Sequence, residues 1–170
     1  MNASNASLDL SIRESVASYC WHLCKGRRYY RRWVYLDGGR QRGEMLHEFV
    51  FRAAHGYAPL PPLSIDHIDC DPMNNCAANL RPATPRLQAL NKRTRPGRDV
   101  PRGVFRKADR FRNRPYKATL KEFGRAVHLG YFATSEEASA VYEAALAREI
   151  AAEEAKSWEL FRKQKEDRHG

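Results

Sequence analysis

No stretch of the 170-residue sequence is both long and apolar enough to cross a bilayer, which takes roughly twenty apolar residues. No membrane role is therefore expected. The first residues, MNASNASLDLSIRESV, lack the charged start and apolar centre of a secretory leader, and a cytoplasmic protein is expected. Cysteine is scarce, with only Cys20, Cys24, Cys70 and Cys76. A disulfide framework is not expected in a reducing compartment. The C-x3-C and C-x5-C spacings are not zinc-knuckle spacings, so zinc is not expected either. Acid is the other shortage: 20 Asp and Glu stand against 30 Lys and Arg, a formal charge of +10.

That excess is concentrated. Between Arg81 and His128 there are fifteen Lys or Arg and three acids, interleaved with Phe105, Phe111, Tyr116, Phe123, Tyr131 and Phe132. A long basic block broken by aromatics has the composition of a phosphate-binding surface, and a nucleic acid is the expected partner. Charge alone does not choose between DNA and RNA. From Thr134 onward acids outnumber bases, as on a solvated helix.

The pattern along the chain is α+β. Residues 1–12 are small and polar and are read as a flexible tail. Two aromatic runs follow, broken by turn signals at Lys25-Gly26 and Asp37-Gly38-Gly39; they predict short strands leading into a helical turn over residues 46–54. After a Pro-rich connector, residues 64–67 read as a strand, DCDPMNN as turn chemistry, NLRPAT as a second strand, and TPRLQALNKR as a helix with Thr84 at its N-cap and Pro85 in its first turn. Residues 94–101 read as a linker. Three strands are expected beyond it, over 103–107, 116–121 and 126–132. A helix follows, opened by Thr134 and Glu137 as a capping box, with Ala138, Val141, Tyr142, Ala145 and Leu146 on one face. A C-terminal helix is assigned to 153–170.

The segment SIDHIDCDPMNNCAANL gathers acids, an imidazole and amides in a basic chain. One reading is a polar turn, since Asp and Asn make local bonds in turns. The other is phosphodiester hydrolysis, which needs a base to activate water and a cation to neutralise the phosphate. A neutral His supplies the first, and hard oxygen donors hold the second. Asp66 and His67 are strand neighbours and point to opposite faces unless the strand end twists.

The residues LHEFVFRAAHG, IDHIDCDPMNNCAANLRPAT and LNKR resemble the HNH endonuclease family, in the branch found in phage and mobile elements. The likeness spans roughly residues 19–93. It implies a ββα-metal core over about 60–93, within a nuclease module of residues 13–93, and cleavage of double-stranded DNA with Mg2+ or Mn2+. On that resemblance His67 is the general base, Asp66 a metal ligand, Asn79 a brace of the loop, and His47 the histidine of a Leu-His-Arg segment. Three positions depart from the pattern. Gln88 stands where the second metal ligand is usually Asn or His, with Asn91 one turn on as a substitute. Cys70 replaces a loop glycine, and Glu48 replaces the Arg after His47.

The stretch PRGVFRKADRFRNRPYKATLKEFGRAVHLGYFATSEEASAVYEAA resembles the AP2 DNA-binding domain, over residues 102–152. This implies a three-stranded antiparallel sheet packed on one helix, with Arg102, Arg106, Tyr116, Lys117 and Arg125 toward DNA. Arg110, Arg112 and Arg114 are read as loop contacts to phosphate. Trp21 and Trp33 are read as core rather than base-stacking groups, and His22, His55 and His128 as structural. The functional expectation is a metal-dependent endonuclease. The alternative is a nuclease-impaired DNA-binding or regulatory protein that keeps the fold.

Overall fold

The computed structural model describes residues 3–26, 28–93, 97, 99–107, 113–122 and 124–168; in the first helix side chains are described from residue 10 on. Arg110 and Arg112, and half of the expected linker, lie outside the described residues. The chain divides into two compact units, residues 1–88 with 156–170, and residues 89–155.

The first unit opens with helix α1, Ala3–Ala17, where the sequence reading expected a loose tail. The reason for the difference lies at Ile12 and Val16. One turn apart on a single face, they pack into the unit's core, and Ile12 is buried. Three antiparallel strands follow in the order β1 (His22–Leu23), β2 (Tyr30–Tyr35), β3 (Gln41–Met45). The β2–β3 turn needs left-handed backbone at two successive positions, and Gly38 and Gly39 supply it with φ of 78° and 74°. Helix α2, Leu46–His55, begins directly after β3. Glu48 serves its first turn, its carboxylate accepting from Met45 N at 3.4 Å. This gives Glu48 a structural use.

Inside the sheet, Glu44 is buried and meets two guanidinium groups. Arg32 Nε donates to Glu44 Oε2 at 2.7 Å, and Arg52 donates to the other oxygen. Burial pushes the Glu44 carboxyl up, but the two arginines outweigh it and hold it below its ordinary range. Arg32 also lies 3.6 Å from the Tyr19 ring centroid. This charge is thus neutralised on one side and stacked on the other.

A two-stranded antiparallel hairpin, β4 (Ser64–His67) with β5 (Leu80–Ala83), leads into helix α3, Pro85–Leu90. Thr84 caps that helix, its Oγ1 accepting from Leu87 N at 3.1 Å. The core beneath is Ile12, Val50, Phe51, Leu63, Leu80 and Phe161. Phe161 comes from the end of helix α4, Ser135–Glu166, which runs without the expected break. Its last turns seal the unit: Tyr57 stacks on Phe161 at 4.2 Å, and the Gln164 amide makes two 2.9 Å bonds with the Leu60 backbone.

In the second unit β6 (Val104–Arg106), β7 (Tyr116–Glu122) and β8 (Arg125–Phe132) form an antiparallel sheet in that order. Val104, Ala118 and Leu120 pack against Ala138, Tyr142 and Ala145 of α4. The small residues of the helix face let it sit close to the sheet. Thr134 Oγ1 accepts from Glu137 N at 3.2 Å, so the expected N-terminal cap is present.

Candidate active site

The turn after β4 is built almost wholly from its own side chains. Cys70 N donates to His67 O at 2.9 Å and closes a tight turn. Asp69 is the hub, accepting from Asp71 N at 2.8 Å, Asn74 Nδ2 at 2.7 Å and Asn79 Nδ2 at 3.0 Å. Hydrogen bonds from the Asp71 backbone, Asn74 and Asn79 lower its pKa to about 2. Asn79 also accepts from Asp69 N at 3.1 Å and donates to Asn74 O at 2.8 Å. It ties both ends of the loop together.

Cys70 takes φ of 58°, the left-handed region that favours glycine. Cys70→Gly is expected to stabilise the protein by about 1 kcal/mol. The check is a higher urea midpoint at unchanged slope.

His67 is buried at the end of β4, and its Nε2 lies 3.2 Å from Asn75 Oδ1. The orientation of Asn75 is fixed, because its Nδ2 donates to Pro72 O at 3.3 Å and Met73 O at 3.1 Å. The group facing His67 is therefore the amide oxygen, an acceptor, so neutral His67 carries its proton on Nε2 and its lone pair on Nδ1. The sequence reading did not single out Asn75; nothing in a run of turn-forming amides marks which one meets the imidazole.

His47, in the first turn of α2, sits with its ring centroid 5.4 Å from that of His67, and Tyr29 lies 5.5 Å from His47 and 6.3 Å from His67. Burial, and secondarily the charge of His67, lower the His47 pKa to about 4. His47 is thus neutral at neutral pH and does not oppose a proton on His67. Its lowered pKa makes the unfolded chain bind a proton between pH 6.5 and about 4 that the folded chain refuses. Stability from this group is full above 6.5 and falls as pH falls, by about 3 kcal/mol once below 4. Burial lowers His55 in the same sense. His47→Gln is expected to flatten the acid limb of a stability–pH curve measured by urea unfolding.

Asp66 lies on the opposite side of β4 from His67. Directly across the hairpin is Arg81, whose Nε and Nη2 donate to Asp66 Oδ2 at 3.2 and 3.0 Å. Ser64, two residues earlier, shares the Asp66 face, and its hydroxyl accepts from Gln88 Nε2 at 2.8 Å. The carboxylate of Asp66 and the carboxamide of Gln88 therefore come to one side of the hairpin. Asn91, the other suggested ligand, belongs to the second unit. Among the described residues no cluster of three or more His, Cys, Asp or Glu is placed to hold a metal ion. One carboxylate and one amide oxygen are a hard donor pair, the chemistry Mg2+ or Mn2+ takes together with water and substrate phosphate. Zinc prefers nitrogen and sulfur, which this pair lacks.

In the second unit the inward position of Ala118 and Leu120 settles the faces of the sheet. Lys117, Thr119 and Lys121 lie on the outer face, with Phe105 and Tyr131 in register beside Lys117 and His128 beside Thr119. Tyr116 packs toward the core instead. Arg102 is turned onto backbone, its guanidinium donating to the carbonyls of Leu90 at 2.9 Å, Lys92 at 2.7 Å and Ala89 at 3.3 Å. Arg106 and Arg125 are exposed, at the end of β6 and the start of β8. Phe105, Tyr131 and His128 were not singled out for DNA contact; strand register, not residue type, places them there.

The chain also resembles known proteins in sequence. Residues 44–90, from the buried Glu44 to the end of α3, match the family model described as HNH endonuclease. A protein of Acanthamoeba polyphaga mimivirus named as an uncharacterized HNH endonuclease is 30% identical over 128 residues, which covers 75% of this chain and 60% of that relative. The chain thus spans less than two thirds of the relative's length. No solved structure matches the chain. No helix among the described residues is long and apolar enough to cross a membrane.

Proposed function

We propose that the protein is a metal-dependent endonuclease that hydrolyses phosphodiester bonds of double-stranded DNA. The observation that carries this reading is the contact of His67 Nε2 with the Asn75 amide oxygen at 3.2 Å. Asn75 holds the Nε2 proton, so Nδ1 is the nitrogen that takes a proton from the attacking water. His47, neutral beside it, adds no charge that would oppose this transfer. Asp66 and the amide oxygen of Gln88 would hold Mg2+ or Mn2+ on the other side of β4 from His67, so that base and ion would approach one phosphate from two sides of the strand end; the ion when bound supplies positive charge for the phosphate and the leaving oxygen. In the second unit, the outer face with Lys117 and Lys121, flanked by Arg106 and Arg125, carries the duplex. Lysine suits phosphate, and arginine suits both phosphate and guanine edges.

The Arg81–Asp66 pair favours a second reading. Two N–H groups already occupy Asp66 Oδ2, and a guanidinium beside the carboxylate weakens its hold on a cation. On that reading the chain binds DNA and cleaves poorly or not at all. Supercoiled plasmid incubated with the full chain separates the two. Nicked circles with Mg2+ or Mn2+, abolished by a chelator, are the expected result. Retarded but intact plasmid would establish the binding-only reading.

A further inference from the structure

The outer face of β2 runs out from the candidate active site and is built from a different set of groups. Residues 29, 31, 33 and 35 alternate onto one side of the strand. Tyr29 continues the ladder, its carbonyl accepting from Cys24 N at 2.8 Å, and its ring lies against His47 and His67. On the same turn Arg28 pairs with Asp71 of the active-site loop at 3.5 Å. Farther along, Arg31 places its guanidinium 4.2 Å from the Trp33 ring centroid, and Trp33 and Tyr35 are 48% and 74% exposed. Gly43 stands opposite Trp33, and a Cβ there would meet Arg31 Cδ at 2.9 Å. The missing side chain on β3 is what lets the Arg31–Trp33 stack lie flat. Trp33, expected in the core, is on the surface.

We propose that this face is a track for an unpaired stretch of the substrate DNA strand beside the scissile phosphate. Trp33 and Tyr35 stack on its bases, and Arg31 meets its backbone. The inference rests on the nuclease reading, since the track starts at the His67 site. Positive charge selects a polyanion, and the aromatics select its form. Two exposed rings on one face offer stacking surfaces, which paired bases cannot use, and among the described residues Arg31 is the arginine on that face of β2. From Tyr29 to Tyr35 the strand rises about 20 Å, enough for about six stacked nucleotides.

The test is equilibrium binding of the full chain, by fluorescence anisotropy without metal ions, to a blunt duplex and to the same duplex with a single-stranded overhang. Trp33→Ala with Tyr35→Ala is expected to weaken overhang binding about tenfold or more and leave blunt-duplex binding nearly unchanged. Trp33→Phe, which keeps a ring, should retain most of the overhang preference. Both positions are exposed, so folding is preserved, and an unshifted unfolding curve verifies it. Equal weakening on both DNAs, or none on the overhang, would overturn the proposal. Because the assay needs no cleavage, failure of the nuclease reading leaves its outcome readable.

Discussion

Arg81→Met is expected to destabilise the first unit by about 3 kcal/mol. The Arg81 side chain is 2% exposed and its partner Asp66 15% exposed. Methionine fills a similar volume, so the loss comes mainly from a carboxylate left without its cation rather than from a cavity. Removing both charges should then recover most of the loss. Arg81→Met with Asp66→Asn is expected to be clearly more stable than Arg81→Met alone, a positive coupling in a double-mutant cycle. Tryptophan fluorescence during urea unfolding reads this directly, because Trp21, Trp33 and Trp158 all belong to the first unit. An Arg81→Met protein as stable as the parent would show that the ion pair contributes nothing net.

Gly103→Ala is expected to disrupt the second unit, at a cost of about 3 kcal/mol or more. Two penalties combine. Gly103 has φ of 74°, where an L side chain costs roughly 1–2 kcal/mol. A Cβ there would also lie 2.1 Å from the buried Tyr142 ring, so the ring or the strand must move, adding about 1–3 kcal/mol of overpacking. The neighbours amplify the effect, since Gly103 O accepts from Thr119 N at 2.9 Å and Val104 is fully buried. Faster hydrogen exchange across β6 and β7 is the measurement. Gly103→Ala combined with Tyr142→Leu should exchange more slowly than Gly103→Ala alone, because the shorter side chain relieves the contact.

What could be read from the sequence was local. The Asp69 loop announces itself because Asp and Asn bond their own backbone within a few residues, and Thr84 and Thr134 cap helices within one turn. Alternation along Tyr116–Leu120 defines two faces of β7, and the apolar face of α4 decides which is inward, so that Tyr116 and Lys117 cannot both face DNA. Long-range packing was not legible. Residues 3–17 look like a polar tail until Ile12 meets its core, and Phe161 reaches Phe51 across more than a hundred residues. Within the site, the family resemblance indicated Asp66, His67 and, by position rather than residue type, Gln88, while Arg81 and Asn75, which pair with Asp66 and His67, emerge only from cross-strand register and loop closure. Arg102 shows the converse: an arginine in a basic block can be consumed by helix carbonyls.

The central claim is that His67 is the base that activates water. The most direct measurement is single-turnover nicking of supercoiled plasmid by His67→Ala beside the parent chain, with metal saturating and DNA affinity measured in parallel. A rate lowered by about a hundredfold or more, at unchanged DNA affinity and an unchanged unfolding curve, is the predicted result. Nicking by His67→Ala at the parent rate would contradict it.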